Sequence, residues 1–340
     1  MKKKQILESA RGKVKNCRIC NDCNGVACRS EIPGLGGIGS GSSFIRNREI
    51  MKKVKLNMNV LTMNSPISTK CHIFETELDM PVFVAPLANV RGNYGCDLSD
   101  YEYNKIVLAA CKKENVLAFT GDGVDIEEFF EKPVQAIHDN DGFGIVTMKP
   151  WVKEGVDRRI EFLKDKKYKL LAMDVDSAGL PLLKGNDILV ETKDPISLRY
   201  IKEKTGKKFI VKGVMNIQGA LAALEAKADA IVVSNHGGRV LDDSLSPIEV
   251  LSTISSVVKG RMTILVDGGI RSDNDIFKCL ALGADGVLIG RPCGLAAIGS
   301  GEEGLASLLN EYKKELAQAM KMTGCHKITD ISRECVTVTK

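Results

Sequence analysis

Thr263-Ile-Leu-Val-Asp-Gly-Gly-Ile-Arg271, then a helix-length stretch over Asp273–Leu282, then Gly286-Val-Leu-Ile-Gly-Arg-Pro292: this stretch sets the fold. Two short apolar runs each end abruptly in glycine and charge, and the residues between them carry helical periodicity. Apolar runs of this length bounded by turn residues read as buried strands, and the intervening helix makes the strands parallel.

The same unit repeats outward in both directions. Candidate strands are Pro81–Ala85, Val116–Thr120, Gly144–Met148, Leu170–Val175, Phe209–Val211, Ala230–Val233, Thr263–Val266 and Gly286–Ile289. Candidate helices include Asn104–Lys113, Ile217–Ala226, Ile248–Val258, Asp273–Leu282 and Glu303–Met322. Strand–helix alternation predicts an α/β protein with a parallel sheet, and eight strands predict closure into a (β/α)8 TIM barrel. A doubly wound open sheet is the competitor, but no G-x-G-x-x-G follows an early strand. The expected organisation is a cysteine-rich N-terminal extension over 1–75, ending in a glycine-rich linker, and the barrel over 76–340.

Composition agrees. Aromatic residues make up 5% of the chain, so the core is built from Ile, Val, Leu, Ala and Met. Lys+Arg number 48 against 43 Asp+Glu, with no aromatic-basic stripe, which argues against nucleic-acid binding. No apolar run is long enough to span a membrane, and no signal-peptide apolar region follows the basic Met1-Lys2-Lys3-Lys4. A cytoplasmic location is expected, where eleven cysteines are thiols or metal ligands rather than a disulfide framework.

Barrel enzymes place their chemistry at the C-terminal ends of the strands. Those ends read Pro86-Leu87-Ala88, Thr120-Gly121, Lys149, Asp174 and Asp176, Lys212-Gly213, Ser234-Asn235-His236, Asp267-Gly268-Gly269 and Gly290-Arg291. Glycine there is ordinary turn chemistry. Lys212 and Asp176 are not, because a lysine ending a buried strand is costly unless an anion meets it. In Ser234-Asn-His-Gly-Gly-Arg239, an imidazole able to take a proton stands three residues from a guanidinium able to grip a carboxylate. An ordinary turn with a packed His and a solvated Arg is the plain alternative. The two loops carrying Arg271 and Arg291 follow strands seven and eight, where glycine N–H groups, a helix N-terminus and arginine suit a terminal phosphate.

With these residues in place the chain closely resembles the FMN-dependent 2-hydroxy-acid oxidases and dehydrogenases, such as glycolate oxidase, lactate oxidase and mandelate dehydrogenase. The carrying motifs are Ser234–Arg239 with Leu241-Asp242, Val266–Ser272 running on to Pro292, and the tail Met322–Ser332. The similarity spans about Leu78 to Val338 and is dense from Ile210. The resemblance implies FMN as cofactor and a small carboxylate substrate oxidised to the 2-oxo acid. It implies His236 as base, Asp176 as its orienting carboxylate, Arg239 as carboxylate clamp and Lys212 beside the flavin ring. It assigns Ala88, Thr120 and Ser234 to flavin contact, and Asp267, Gly268, Gly269, Arg271, Gly290 and Arg291 to the ribityl-phosphate end.

The chain also departs from that pattern. The family's two substrate tyrosines are absent: the first region reads Gly34-Leu-Gly-Gly-Ile-Gly-Ser-Gly41 and the second Thr147-Met-Lys-Pro-Trp151. The long loop with a second substrate arginine is replaced by a short connection after Ser177–Lys184, and Asp174 stands where a threonine is usual. Other readings are a flavin isomerase or reductase resembling type 2 isopentenyl diphosphate isomerase, and a flavin–metal electron-transfer module. The electron acceptor is not identified, and a homo-oligomer is expected from the family habit.

Cys17-x2-Cys20-x2-Cys23-x4-Cys28 lies outside the resemblance. Four clustered thiols suit Zn²⁺ or a [4Fe–4S] cluster, and the first three share a ferredoxin-like spacing. The fourth comes one residue late and lacks the following proline, so a reduced, unliganded segment is the alternative. Cys279, on a helix, is expected to pack as a small hydrophobe.

Overall fold

A computed structural model describes residues 3–183 and 190–339. Eight parallel strands surround one axis: β1 (Val82–Val84), β2 (Leu117–Ala118), β3 (Ile145–Met148), β4 (Leu170–Asp174), β5 (Lys208–Val214), β6 (Ala230–Val233), β7 (Thr263–Val266) and β8 (Gly286–Ile289). Except between β2 and β3, each pairs with the next, and β8 returns to β1. The ring closes between β2 and β3 through a parallel bridge from Phe119 to Ile145 and the Thr120 N–H bond to the Ile145 carbonyl at 2.9 Å. The barrel expectation is met.

Eight helices follow the strands: α1 (Asp100–Lys113), α2 (Lys132–Asp139), α3 (Lys153–Leu163), α4 (Pro195–Thr205), α5 (Ile217–Glu225), α6 (Pro247–Val258), α7 (Asp273–Ala281) and α8 (Arg291–Met322). α1 starts earlier than its apolar periodicity suggests, because Ser99 and Glu102 form a reciprocal capping box. α8 is two helical stretches joined across Gly301, whose φ of 63° interrupts regular geometry.

Side chains alternate along each strand, so every second residue points into the barrel. Phe83, Phe119, Ile145, Leu170, Ala172, Ile210, Ala230, Val232, Leu265 and Leu288 form that interior. Ile73 and Leu78, from the hairpin Cys71–Ile73/Thr76–Leu78, join the same cluster. Two residues further along the strands the inward layer turns polar, as Thr147, Asp174, Lys212, Ser234 and Asp267, all buried. Nothing but the period of two puts these five groups at one end.

The outward-facing strand residues pack under the helices in a second, larger cluster. Ile6, Ala10, Val14, Leu35 and Met51 belong to it, so the segment preceding the barrel buries its apolar residues in the same core. The larger of these side chains, Ile6, Val14, Leu35 and Met51, each contribute roughly 1.5–3 kcal/mol. A helix over Ser42–Lys53 lies in this segment, and Val54–Leu56 pairs antiparallel with Val336–Val338. Cys279 is fully buried, as expected. The short connection expected after β4 falls partly on residues 184–189, outside the described residues. No described helix is long and apolar enough to cross a membrane.

Candidate active site

A cavity of about 350 Å³ occupies the mouth of the barrel at the C-terminal ends of the strands. Of the residues singled out in the sequence, Ala88, Asp174, Lys212, His236, Arg239, Asp267, Gly268, Gly269, Arg271, Gly290 and Arg291 line it. Three do not. Thr120 is buried behind the wall, where its hydroxyl accepts the Thr147 N–H at 3.4 Å. Ser234, also buried, accepts the His236 N–H at 3.1 Å. Asp176 stands behind His236, with its Oδ1 2.9 Å from the imidazole Nδ1.

The loop after β6 turns sharply, since His236, Gly237 and Gly238 have φ of 55°, 63° and 80°. The left-handed conformation is costly for histidine and accommodated by glycine. A side chain on Gly238 would meet the Phe44 backbone N at 2.5 Å, so this turn also requires the helix over Ser42–Lys53 to approach closely. The turn brings His236 and Arg239 to the same cavity. Arg239 donates to the Gly34 carbonyl at 2.6 Å, the Gly36 carbonyl at 3.2 Å and Asn93 Oδ1 at 3.1 Å. The glycine-rich linker is therefore tied to this arginine. Burial, with Arg291 nearby, pulls the Arg239 guanidinium down to about 10, which leaves it charged at neutral pH.

The floor of the cavity is a compact charge cluster. Lys212 Nζ lies 2.8 Å from Asp174 Oδ1 and 3.8 Å from Asp267 Oδ2, and Lys149 Nζ lies 3.8 Å from Asp174 Oδ2. His236 Nδ1 is 3.5 Å from Asp174 Oδ1. Burial alone would raise the Asp174 carboxyl, but His236, Lys212 and Lys149 hold it well below the usual range. Burial raises Asp176. For His236, burial is outweighed by Asp174 and Asp176, so the imidazole is pushed above its ordinary value. Burial lowers Lys149.

At the other end of the cavity the backbone opens. Gly268 and Gly269 take φ of 93° and 83° after β7, and an added side chain on Gly269 would sit 2.4 Å from the Asn47 carbonyl oxygen. α8 starts at Gly290 and Arg291, both in the cavity wall, so its N–H groups and dipole face the space. Three buried oxygens in the wall, Asp267 Oδ1, Thr147 Oγ1 and Tyr94 Oη, have no partner among the described residues. Buried polar atoms of this kind are normally satisfied, so their arrangement fits a polar ligand. An elongated molecule with a planar polar head at Lys212 and a phosphate at Gly268–Arg271 and Gly290–Arg291 matches these surroundings.

The remaining wall is apolar: Val124, Phe129, Leu180, Leu182 and Leu183. Two charged residues, Lys149 and Asp122, also line the cavity. Asp122 is clamped by Arg159 Nε at 2.9 Å and Nη2 at 2.9 Å, by Trp151 Nε1 at 2.6 Å and by the Lys149 N–H at 2.8 Å. Sequence reasoning noticed Lys149 as a strand-end lysine and Asp174 as a departure, but passed over Asp122. Its signal, an aspartate four residues beyond the β2 end, is indistinguishable from a turn residue without the distant Arg159.

The four cysteines Cys17, Cys20, Cys23 and Cys28 converge on a neighbouring cavity of about 260 Å³. Leu35, Arg271 and Arg291 stand in the walls of both cavities.

A family model described as FMN-dependent dehydrogenase matches residues 35–184 and 183–338. A 2-hydroxyacid oxidase of Dictyostelium discoideum is 31% identical over 327 residues, covering 86% of this chain and 82% of that protein. Human 2-hydroxyacid oxidase 2 is 28% identical over 88% of this chain and 91% of its own. Among solved structures, a mandelate oxidase variant crystallised with 2-hydroxy-phenylacetamide superposes with a TM-score of 0.78 at 24% identity, over 99% of this chain and 98% of that one.

Proposed function

The chain belongs to the FMN-dependent dehydrogenase family, and we propose that it oxidises a 2-hydroxy acid to the 2-oxo acid with His236 as base and Arg239 as carboxylate clamp. It is an FMN-dependent oxidoreductase acting on the CH–OH group of 2-hydroxy acids, as its relatives' names indicate, and the isomerase reading is not favoured.

The single observation that carries the residue assignment is the pairing of His236 Nδ1 with Asp176 Oδ1 at 2.9 Å at the edge of a cavity whose far end is built for phosphate. That bond leaves Nε2 as the free face of the ring, in the tautomer that accepts a proton. FMN, when bound, supplies the electron sink for the pair leaving the substrate's second carbon. Arg239 binds the substrate carboxylate by paired N–H donors, exchanging its carbonyl partners at Gly34 and Gly36 for the stronger anionic acceptor. His236 then takes the substrate proton, and Asp174 and Asp176 stabilise the imidazolium that results. Lys212, locked between Asp174 and Asp267, keeps a fixed positive charge at the floor of the cavity, where negative charge develops on reduction.

The apolar wall of Val124, Phe129, Leu180, Leu182 and Leu183 supports a substrate with a hydrocarbon side chain. The same reading places a thiolate-held metal centre, zinc or iron–sulfur, at Cys17, Cys20, Cys23 and Cys28, supported by their shared cavity. Eleven free thiols suit a reducing compartment such as the cytoplasm. The test is an anaerobic titration of the yellow protein with 2-hydroxy acids of increasing side-chain length. Bleaching of the flavin band with one equivalent of 2-oxo acid formed per FMN is expected; a flavin that no member of the panel bleaches defeats the proposal.

A further inference from the structure

The four clustered cysteines take no part in the hydroxy-acid chemistry. Cys17, Cys23 and Cys28 are half-buried and Cys20 is exposed, and all four are free thiols lining one chamber. The chain turns tightly around them. Ile19, at φ 48°, donates its N–H to Cys17 Sγ at 3.4 Å, and Cys28 Sγ faces the Gly25 carbonyl at 3.9 Å. In the first contact the sulfur accepts an amide N–H; in the second the thiol donates to the carbonyl.

The spacing of the sulfurs and the room between them bear on which metal centre fits. No three of the four sulfurs lie within 4.8 Å of one another. A single zinc ion, with Zn–S bonds of about 2.3 Å in tetrahedral geometry, would draw them to roughly 3.8 Å apart. A [4Fe–4S] cubane sets four irons and four sulfides between its thiolates and needs wider separation and a larger chamber. About 260 Å³ is far more than one ion fills. The Cys-x2-Cys-x2-Cys spacing matches the cluster as well. A cubane in its 2+ state with four thiolates carries two net negative charges, and the inner wall of the chamber supplies Arg48, Arg271 and Arg291.

We propose that Cys17, Cys20, Cys23 and Cys28 hold a [4Fe–4S] cluster that carries electrons, one at a time, from the reduced flavin to an external one-electron redox protein. The relay rests on the flavin reading; the cluster site does not. Leu35, Arg271 and Arg291 form a shared partition, so one layer of side chains separates the cluster from the phosphate end of the flavin site. Cys20 is exposed and gives the exit. The electrons balance: the hydroxy acid delivers two electrons and two protons to FMN. Each electron in turn takes the cluster from the 2+ to the 1+ state, and the cluster hands it to the acceptor protein. Two passages restore oxidised FMN and release both protons to water.

The test uses the full chain purified without oxygen, with FMN, iron, zinc and acid-labile sulfide counted separately. About four irons and four sulfides per chain are expected, and low-temperature EPR of the reduced cluster should appear when a hydroxy acid bleaches the flavin. Cys20→Ser should lower the iron count and remove the signal; should that variant fail to fold, the wild-type metal count and EPR decide alone. One zinc per chain, FMN-replete protein without iron, or a cluster that stays oxidised while the flavin bleaches overturns the proposal. Iron-replete protein that refuses FMN defeats the flavin reading instead, and the relay with it.

Discussion

Asn47 and Asn235 exchange two amide hydrogen bonds, each 2.9 Å, in the buried seam between the Ser42–Lys53 helix and the loop carrying His236. Asn235 Oδ1 also accepts the Gly238 N–H at 3.2 Å, so the pair fixes the turn that aims the imidazole and Arg239. Next to it, Arg48 donates to the Gly269 carbonyl and pairs with Asp275 at 2.9 Å, which ties the same helix to the loop after β7. A segment outside the barrel thus positions both ends of the site. Asn47→Ala leaves a buried amide without its partner, at a cost of about 1–3 kcal/mol. Urea unfolding should show that loss, and the rate of flavin reduction should fall with it. Unchanged values for both would show that the seam does not position the loop.

The base must be neutral to accept a proton, and Asp174 and Asp176 outweigh burial to raise the His236 value above 6.5. The rate of flavin reduction is therefore expected to climb with pH along a limb lying above 6.5. Asp176→Asn removes one of the raising charges, so the limb should move to lower pH while the plateau falls. The stability contribution has the opposite sign. Because the folded value is raised, it is fully present below the unfolded value and disappears as pH rises through the folded one. Stopped-flow rates and thermal unfolding across the same pH series check both signs.

Lys212 is the closest cation to Asp174, at 2.8 Å, inside the barrel. Lys212→Met leaves that carboxylate with Lys149 at 3.8 Å and the imidazole. Removing one partner of a buried pair costs on the order of 3 kcal/mol. The variant should be less stable by that order, bind FMN more weakly and accept electrons more slowly. Equal FMN affinity and equal reduction rate would place the lysine outside the flavin's field.

Leu180 is a buried part of the apolar wall. Leu180→Ala should lower kcat/KM for 2-hydroxy acids with branched or longer hydrocarbon side chains by about 10-fold or more, with glycolate little affected. A uniform loss across the series would mean that the side chain lies elsewhere.

The barrel was legible because its strands are short apolar runs with abrupt ends. β6, β7 and β8 have the bounds expected from sequence. β5 continues past Val211 to Val214, because Lys212 and Gly213 look like a loop until Asp174 is placed beside the lysine. Polar residues inside a barrel read as turn residues when their partners are distant in sequence. The Ser42–Lys53 helix went unnoticed beside the glycine-rich run preceding it, and its contacts with Asn235 and Gly269 are separated by roughly two hundred residues. His236, Arg239 and the two arginine loops were legible because each lies within one short motif. Thr120 and Ser234 carry polar groups at strand ends but point them at the backbone, which sequence alone does not distinguish.

The most direct measurement compares wild type with His236→Ala, both loaded with FMN and mixed anaerobically with a hydroxy acid that bleaches the wild type. One FMN per chain is expected in each, with flavin reduction in the variant slower by about 10²–10⁴-fold. A variant that bleaches as fast as the wild type would contradict the assignment of His236 as the base.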